Sequence, residues 1–113
     1  MTRAAGYMAA LAALLVASPG VVLAEKVAGV ALPDGARRIG ENRYQVDRTY
    51  EEVLRFYRSI CPPAVCPRRP VADQPGVRAV HIENPAARPG SWEGVNVYEL
   101  NGETRLFVLV KQR

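Results

Sequence analysis

The sequence predicts an α+β fold: a small antiparallel sheet of three to five strands with one main helix packed on one face. Three observations predict it. A capped, amphipathic stretch runs from Thr49 to Ile60. Two period-two stretches, Trp92 to Leu100 and Glu103 to Val110, flank the pair Asn101-Gly102. Between helix and strands, residues 61–76 hold Pro62, Pro63, Pro67, Pro70 and Pro75, too many for a second helix or a central strand.

The helix is read from its ends inward. Thr49 and Glu52 have the spacing of a capping box, in which each side chain takes the other's backbone amide. Glu51 and Glu52 place negative charge in the first turn, and Arg55 and Arg58 stand toward the end, both favourable to the helix dipole. Tyr50, Val53, Leu54, Tyr57 and Ile60 form one apolar stripe, with Phe56 beside it. Pro62-Pro63 ends the helix by about Ile60. A helix this short is marginal alone in water, so it requires a sheet to pack on.

The segments before it are short. Residues 1–24 read as an export signal: Arg3, an apolar run from Tyr7 to Val16, a break at Ser18-Pro19-Gly20, then Val22-Leu23-Ala24 at the cleavage positions. The apolar run is too short for a comfortable bilayer span, so no transmembrane span is expected in the mature chain. A periplasmic or secreted location follows. Setting this segment aside leaves residues 25–113 and lowers the formal net charge from +4 to +3, since Arg3 is its one charged residue. That length suits a single small α+β domain. Val27, Val30 and Leu32 lie in a lead-in, Leu32-Pro33-Asp34-Gly35 is a turn, and Ala36 to Ile39 is a short extended piece. Glu41 to Val46 alternates, with Tyr44 and Val46 facing the core. Arg37, Arg38, Arg43 and Arg48 surround this strand as a basic edge.

After the helix, residues 61–76 are expected as a proline-rich loop. Val77 to Ile82 follows as a strand, with Val80 and Ile82 expected on one side and Arg78 on the other. Trp92 to Leu100 comes next, with Gly94 marking a bulge or a close approach. Asn101-Gly102 is a tight hairpin turn. Leu106, Val108 and Val110 alternate with Phe107 and Leu109, so both faces of the last strand are apolar and a well-covered strand is expected.

The stretches Leu32 to Ala36, Tyr50 to Tyr57 and Trp92 to Val110 together resemble a broad group of small exported bacterial α+β proteins of unknown function. Those proteins share an L-P-x-G-A turn, a helix of the type Y-E-E-V-L-R-F-Y and a strand-rich second half with an aromatic-glycine element. The resemblance implies the same fold and brings no catalytic residues with it.

Candidate chemistry is sparse. Cys61 and Cys66, in an oxidising compartment, are expected to form a disulfide that pins the helix end to the loop. The pair lacks the two-residue spacing of a dithiol redox motif, and Pro67 rather than His follows Cys66, against haem attachment. With a single histidine, His81, no metal set is expected. His81 and Glu83 share one side of a strand and could make an acid–base pair, but Ser59 and Ser91 are not placed beside them by any spacing. Trp92 with Arg88 is a candidate contact patch, and Arg68 and Arg69 are further contact candidates in the loop. No phosphate loop, HExxH pair, GxSxG elbow or calcium loop is present. The slight basic excess has no blocks of like charge and does not point to nucleic acid.

The expected function is therefore that of a non-catalytic exported domain binding an envelope protein or an anionic envelope polymer, without cofactor. One alternative is a small inhibitor or accessory protein acting through loop 61–76; another is a thiol or acid–base enzyme.

Overall fold

A computed structural model describes residues 25–113. The export signal expected over residues 1–24 lies outside the described residues. Eight strands and one helix follow in order: β1 Lys26–Val27, β2 Val30–Ala31, β3 Ala36–Gly40, β4 Arg43–Val46, α1 Tyr50–Ile60, β5 Arg68–Gln74, β6 Val77–Glu83, β7 Trp92–Leu100 and β8 Glu103–Val110. β1 and β2 form a small hairpin of their own. The other six make one antiparallel sheet in the order β3-β4-β8-β7-β6-β5. The helix and antiparallel sheet match the expected class, but the sheet has six strands rather than three to five.

The extra strand comes from the expected loop. Residues 68–74 pair with β6 despite Pro70. β5 has a neighbour on one side only, so proline's missing N–H costs no central ladder bond. A bulge between Pro70 and Ala72 leaves Val71 out of register and 58% exposed. At the opposite edge, β3 carries Arg37 and Arg38 and a bulge beside Ile39. Bulges and arginines at both edges, with proline at β5, oppose further strand addition.

α1 begins as the sequence requires. Thr49 Oγ1 accepts from the Glu52 amide at 3.1 Å, and Glu52 Oε1 accepts from the Thr49 amide at 2.9 Å. Tyr50, Val53 and Tyr57 are buried against Tyr44, Val46, Ile82, Val95, Val97, Leu106 and Val108. Ile60, expected on this stripe, is 42% exposed, because the last turn runs past the packed surface into the Cys61–Cys66 link. Phe56 is half-buried, edge-on to Tyr57 with ring centroids 4.9 Å apart.

Arg78 was expected on the side opposite Val80 and Ile82, but the three share a face, as period two requires for positions 78, 80 and 82. From there its guanidinium reaches Glu51 at the helix start and Glu99 on β7, both at 2.9 Å, and lies 4.4 Å from the Tyr50 ring centroid. It ties the first turn of α1 to the sheet.

The β1–β2 hairpin packs on the same face as α1. Its turn, Ala28-Gly29, holds both residues at positive φ, and Leu32 just beyond it is buried to 1% exposure. The buried Tyr57 hydroxyl donates to the Ala31 carbonyl at 2.8 Å, joining helix to hairpin. Burial raises the Tyr57 pKa well above the usual phenol range, so the group stays a donor. One face of the sheet is thus covered by helix and hairpin.

Candidate functional site

The other face of the sheet carries neither helix nor hairpin, and its residues line up in two rows across five strands. The first row is Arg43 on β4, Phe107 on β8, Asn96 on β7, His81 on β6 and Arg69 on β5. The second is Gln45, Arg105, Tyr98, Ala79 and Ala72. Arg43 and Arg69 are exposed, and Phe107, Asn96, His81 and Tyr98 are half-buried.

Several of these side chains are held in place. The Arg43 guanidinium carbon lies 4.2 Å from the Phe107 ring centroid, a stacked arrangement that keeps the charge at the surface while covering the ring. Asn96 Oδ1 and His81 Nδ1 are 2.7 Å apart. With the amide oxygen accepting, Nδ1 is the donor of this bond. A Cβ added to Gly94 would stand 2.5 Å from His81 Cε1 and 3.1 Å from the Ile82 carbonyl, so the imidazole lies in the space left by the missing side chain. This is the close approach that the sequence signals at Gly94. Arg105 Nη2 donates to Glu103 Oε1 at 2.8 Å, and hydrogen bonding to that carboxylate raises the guanidinium's pKa.

Electrostatically the face is basic. Arg37, at the β3 end of the second row, joins Arg43, Arg69 and Arg105, while Glu83 and Glu103 are the acidic side chains facing the same way. Gln45, Asn96 and Tyr98 add neutral hydrogen-bonding groups between the arginines. The arrangement is a mixed platform of guanidinium, aromatic and amide groups.

The sequence-derived candidates divide between the two faces. Cys61 and Cys66 are joined as a disulfide with Cα atoms 5.7 Å apart. Arg68 and Arg69, adjacent in sequence, point to opposite faces: Arg69 lies in the open row beside His81, and Arg68 beside Ile82 on the helix side. Trp92 pairs with Val110 across a bulge that turns it onto the covered face, where the Ala28-Gly29 turn packs against it. Arg88 is exposed on the turn before it, with its amide bonded to Ser91 Oγ. His81 takes Asn96 rather than Glu83 as its hydrogen-bond partner. Ser59 bonds to the Phe56 carbonyl on the helix. Among the described residues, neither Ser59 nor Ser91 makes a hydrogen bond to His81. Among the described residues no group of three or more His, Cys, Asp or Glu is placed to hold a metal ion, and no helix is long and apolar enough to cross a membrane.

Sequence reasoning missed Asn96 and Arg105, and it did not set Arg43, named in the basic edge, against Phe107. Their signal was parity: Asn96 and Tyr98 alternate with Val95 and Val97, and Arg105 and Phe107 alternate with Leu106 and Val108. No protein-family model matches the chain, and comparison with curated proteins and with solved structures finds no match.

Proposed function

We propose that this chain is a non-catalytic exported binding module whose open sheet face takes an anionic polysaccharide of the cell envelope. The observation that carries the reading is the ordered row Arg43, Phe107, Asn96, His81, Arg69, in which cations stand at both ends of an aromatic and amide centre. Such a row suits an extended chain of acidic sugars: guanidinium groups meet carboxylates, ring faces meet sugar C–H faces, and the Asn96 amide meets hydroxyls.

Polygalacturonate is a suitable probe. The protein is expected to bind it at low ionic strength and progressively less as salt is raised. Arg43→Gln with Arg69→Gln removes two exposed ion pairs, each worth about 1 kcal/mol, for a combined loss of roughly thirtyfold in affinity. Arg55→Gln with Arg58→Gln, equal in charge but on the helix across the sheet from this face, should change affinity little. Equal losses from both pairs, or no binding at low salt, would refute the reading.

A second reading has its own observation. Val65, inside the disulfide-closed turn, is 61% exposed, as a contact residue of an inhibitor loop would be. A rigid closed turn orders cheaply on binding. Val65→Asp discriminates: it should abolish binding to a protein partner of that loop and leave polygalacturonate binding intact.

A further inference from the structure

On the covered side, a groove separates α1 from the edge strand β5. Its volume is about 350 Å³, and it is lined by Leu54, Arg58, Pro63, Arg68, Pro70 and Val80. That volume falls at the low end of small-molecule clefts, about 300–1,000 Å³. It does not belong to the open face: the sheet lies between them.

The lining is divided by chemistry. Leu54, Pro63, Pro70 and Val80 bring no polar side-chain atom, and the two prolines bring no N–H. The polar part is two arginines. Arg68 is half-buried and donates through Nη1 to the Cys66 carbonyl, which the disulfide holds in place. Its Nη2 is buried and has no hydrogen-bond partner. A buried guanidinium N–H without an acceptor is costly, and an anion would satisfy it. Neither Arg58 nor Arg68 forms an ion pair among the described residues. Burial first, and the nearby Arg58 charge second, push the Arg68 pKa down, the environment of a cation that lacks a counter-charge.

We infer that this groove binds a free medium-chain alkyl carboxylate, its head held by the uncompensated guanidinium groups of Arg68 and Arg58 and its tail lying along Leu54, Pro63, Pro70 and Val80. A peptide with a C-terminal carboxylate fits less well, because its backbone amides would find few partners against two prolines and two aliphatic side chains.

The test is calorimetric titration of the full chain with decanoate, below the concentration at which decanoate aggregates. Saturable one-to-one binding is expected, with perturbation of the Leu54 and Val80 amide signals in a heteronuclear NMR spectrum. Decanol, which has the tail without the charge, should bind about tenfold more weakly or worse, as should decanoate to Arg68→Gln. Arg58→Gln alters only an exposed helix position and keeps the experiment decisive should Arg68→Gln disturb the turn; it too should weaken decanoate. Equal binding of decanol, undiminished binding in both variants, signals that move only on the open face, or tighter binding of a short apolar peptide with a free C-terminus would each overturn the assignment. Polygalacturonate binding should be unchanged in Arg58→Gln, which separates failure of this site from failure of the open face.

Discussion

The two faces of the sheet are built from the same strands yet differ in nearly every physical respect. Along β7 and β8, Val95, Val97, Leu106 and Val108 are fully buried under α1, while Asn96, Tyr98, Phe107 and Leu109 one residue away are only half-buried. The covered face is mainly aliphatic at its centre, with Tyr44 and Trp92 beside it, and is closed by a capped helix and a hairpin. The open face is aromatic, amide and arginine, held by the Arg43–Phe107 stacking, the His81–Asn96 bond and the Arg105–Glu103 ion pair. The covered face therefore carries stability, and the open face is free to carry recognition.

The largest contrast should come from matched truncations on β8. Leu106→Ala removes a fully buried side chain and is expected to cost about 2–5 kcal/mol in denaturant unfolding. Leu109→Ala, on the open face, should cost about 1 kcal/mol or less. Similar losses would mean that something covers both faces.

Next in size is Gly94→Ala. The new methyl group meets the His81 ring and the Ile82 carbonyl, for a loss of up to about 3 kcal/mol. Adding His81→Ala should recover part of that loss, which a double-mutant cycle would measure. No recovery would place the conflict with the backbone rather than with the imidazole.

Removing the disulfide with Cys61→Ser and Cys66→Ser should cost about 2 kcal/mol, the value for a short closed loop. It should leave polygalacturonate binding unchanged, since the link lies away from the open face. A large loss of polymer binding would favour the turn as the contact element.

The smallest effect is expected at the helix cap. Thr49→Ala should cost about 1 kcal/mol. The Glu52 carboxyl is held below the usual glutamate range, first by the hydrogen bond from the Thr49 amide, and Glu51 is lowered by its own amide and by Arg78. A folded pKa below the unfolded one stabilises the fold above about pH 4.3, and that contribution fades as pH falls toward the folded value. Stability against pH should therefore decline through this window, and less steeply in Glu52→Gln.

What the sequence made legible follows from which signals are local. The capping box, the Asn101-Gly102 turn and the Tyr44/Val46 parity are decided by neighbours in the chain, and the structure has all three. β5 was hidden because Pro70 argues against a strand unless the strand is known to lie at an edge, which is a tertiary fact. Gln74-Pro75-Gly76-Val77 was a turn signal between β5 and β6; Gly76 has φ +82°, as that turn requires. The apolar parity of β8 gave two faces but not which one is covered, since coverage depends on where α1 and the hairpin dock. For the same reason the candidate site was only half visible: Arg69, His81 and Arg43 were named separately, but the register that lines Arg69 up with residues of four other strands is a tertiary fact.

His81 is the only histidine and sits in the open row between Asn96 and Arg69, so its ring signals report on that face alone. Following them by NMR while polygalacturonate is titrated into the protein at low salt is the direct test. A saturable shift in the His81 ring signals, absent in Arg43→Gln/Arg69→Gln, is the predicted result. Bound polymer with an unmoved His81 ring would show that recognition happens elsewhere.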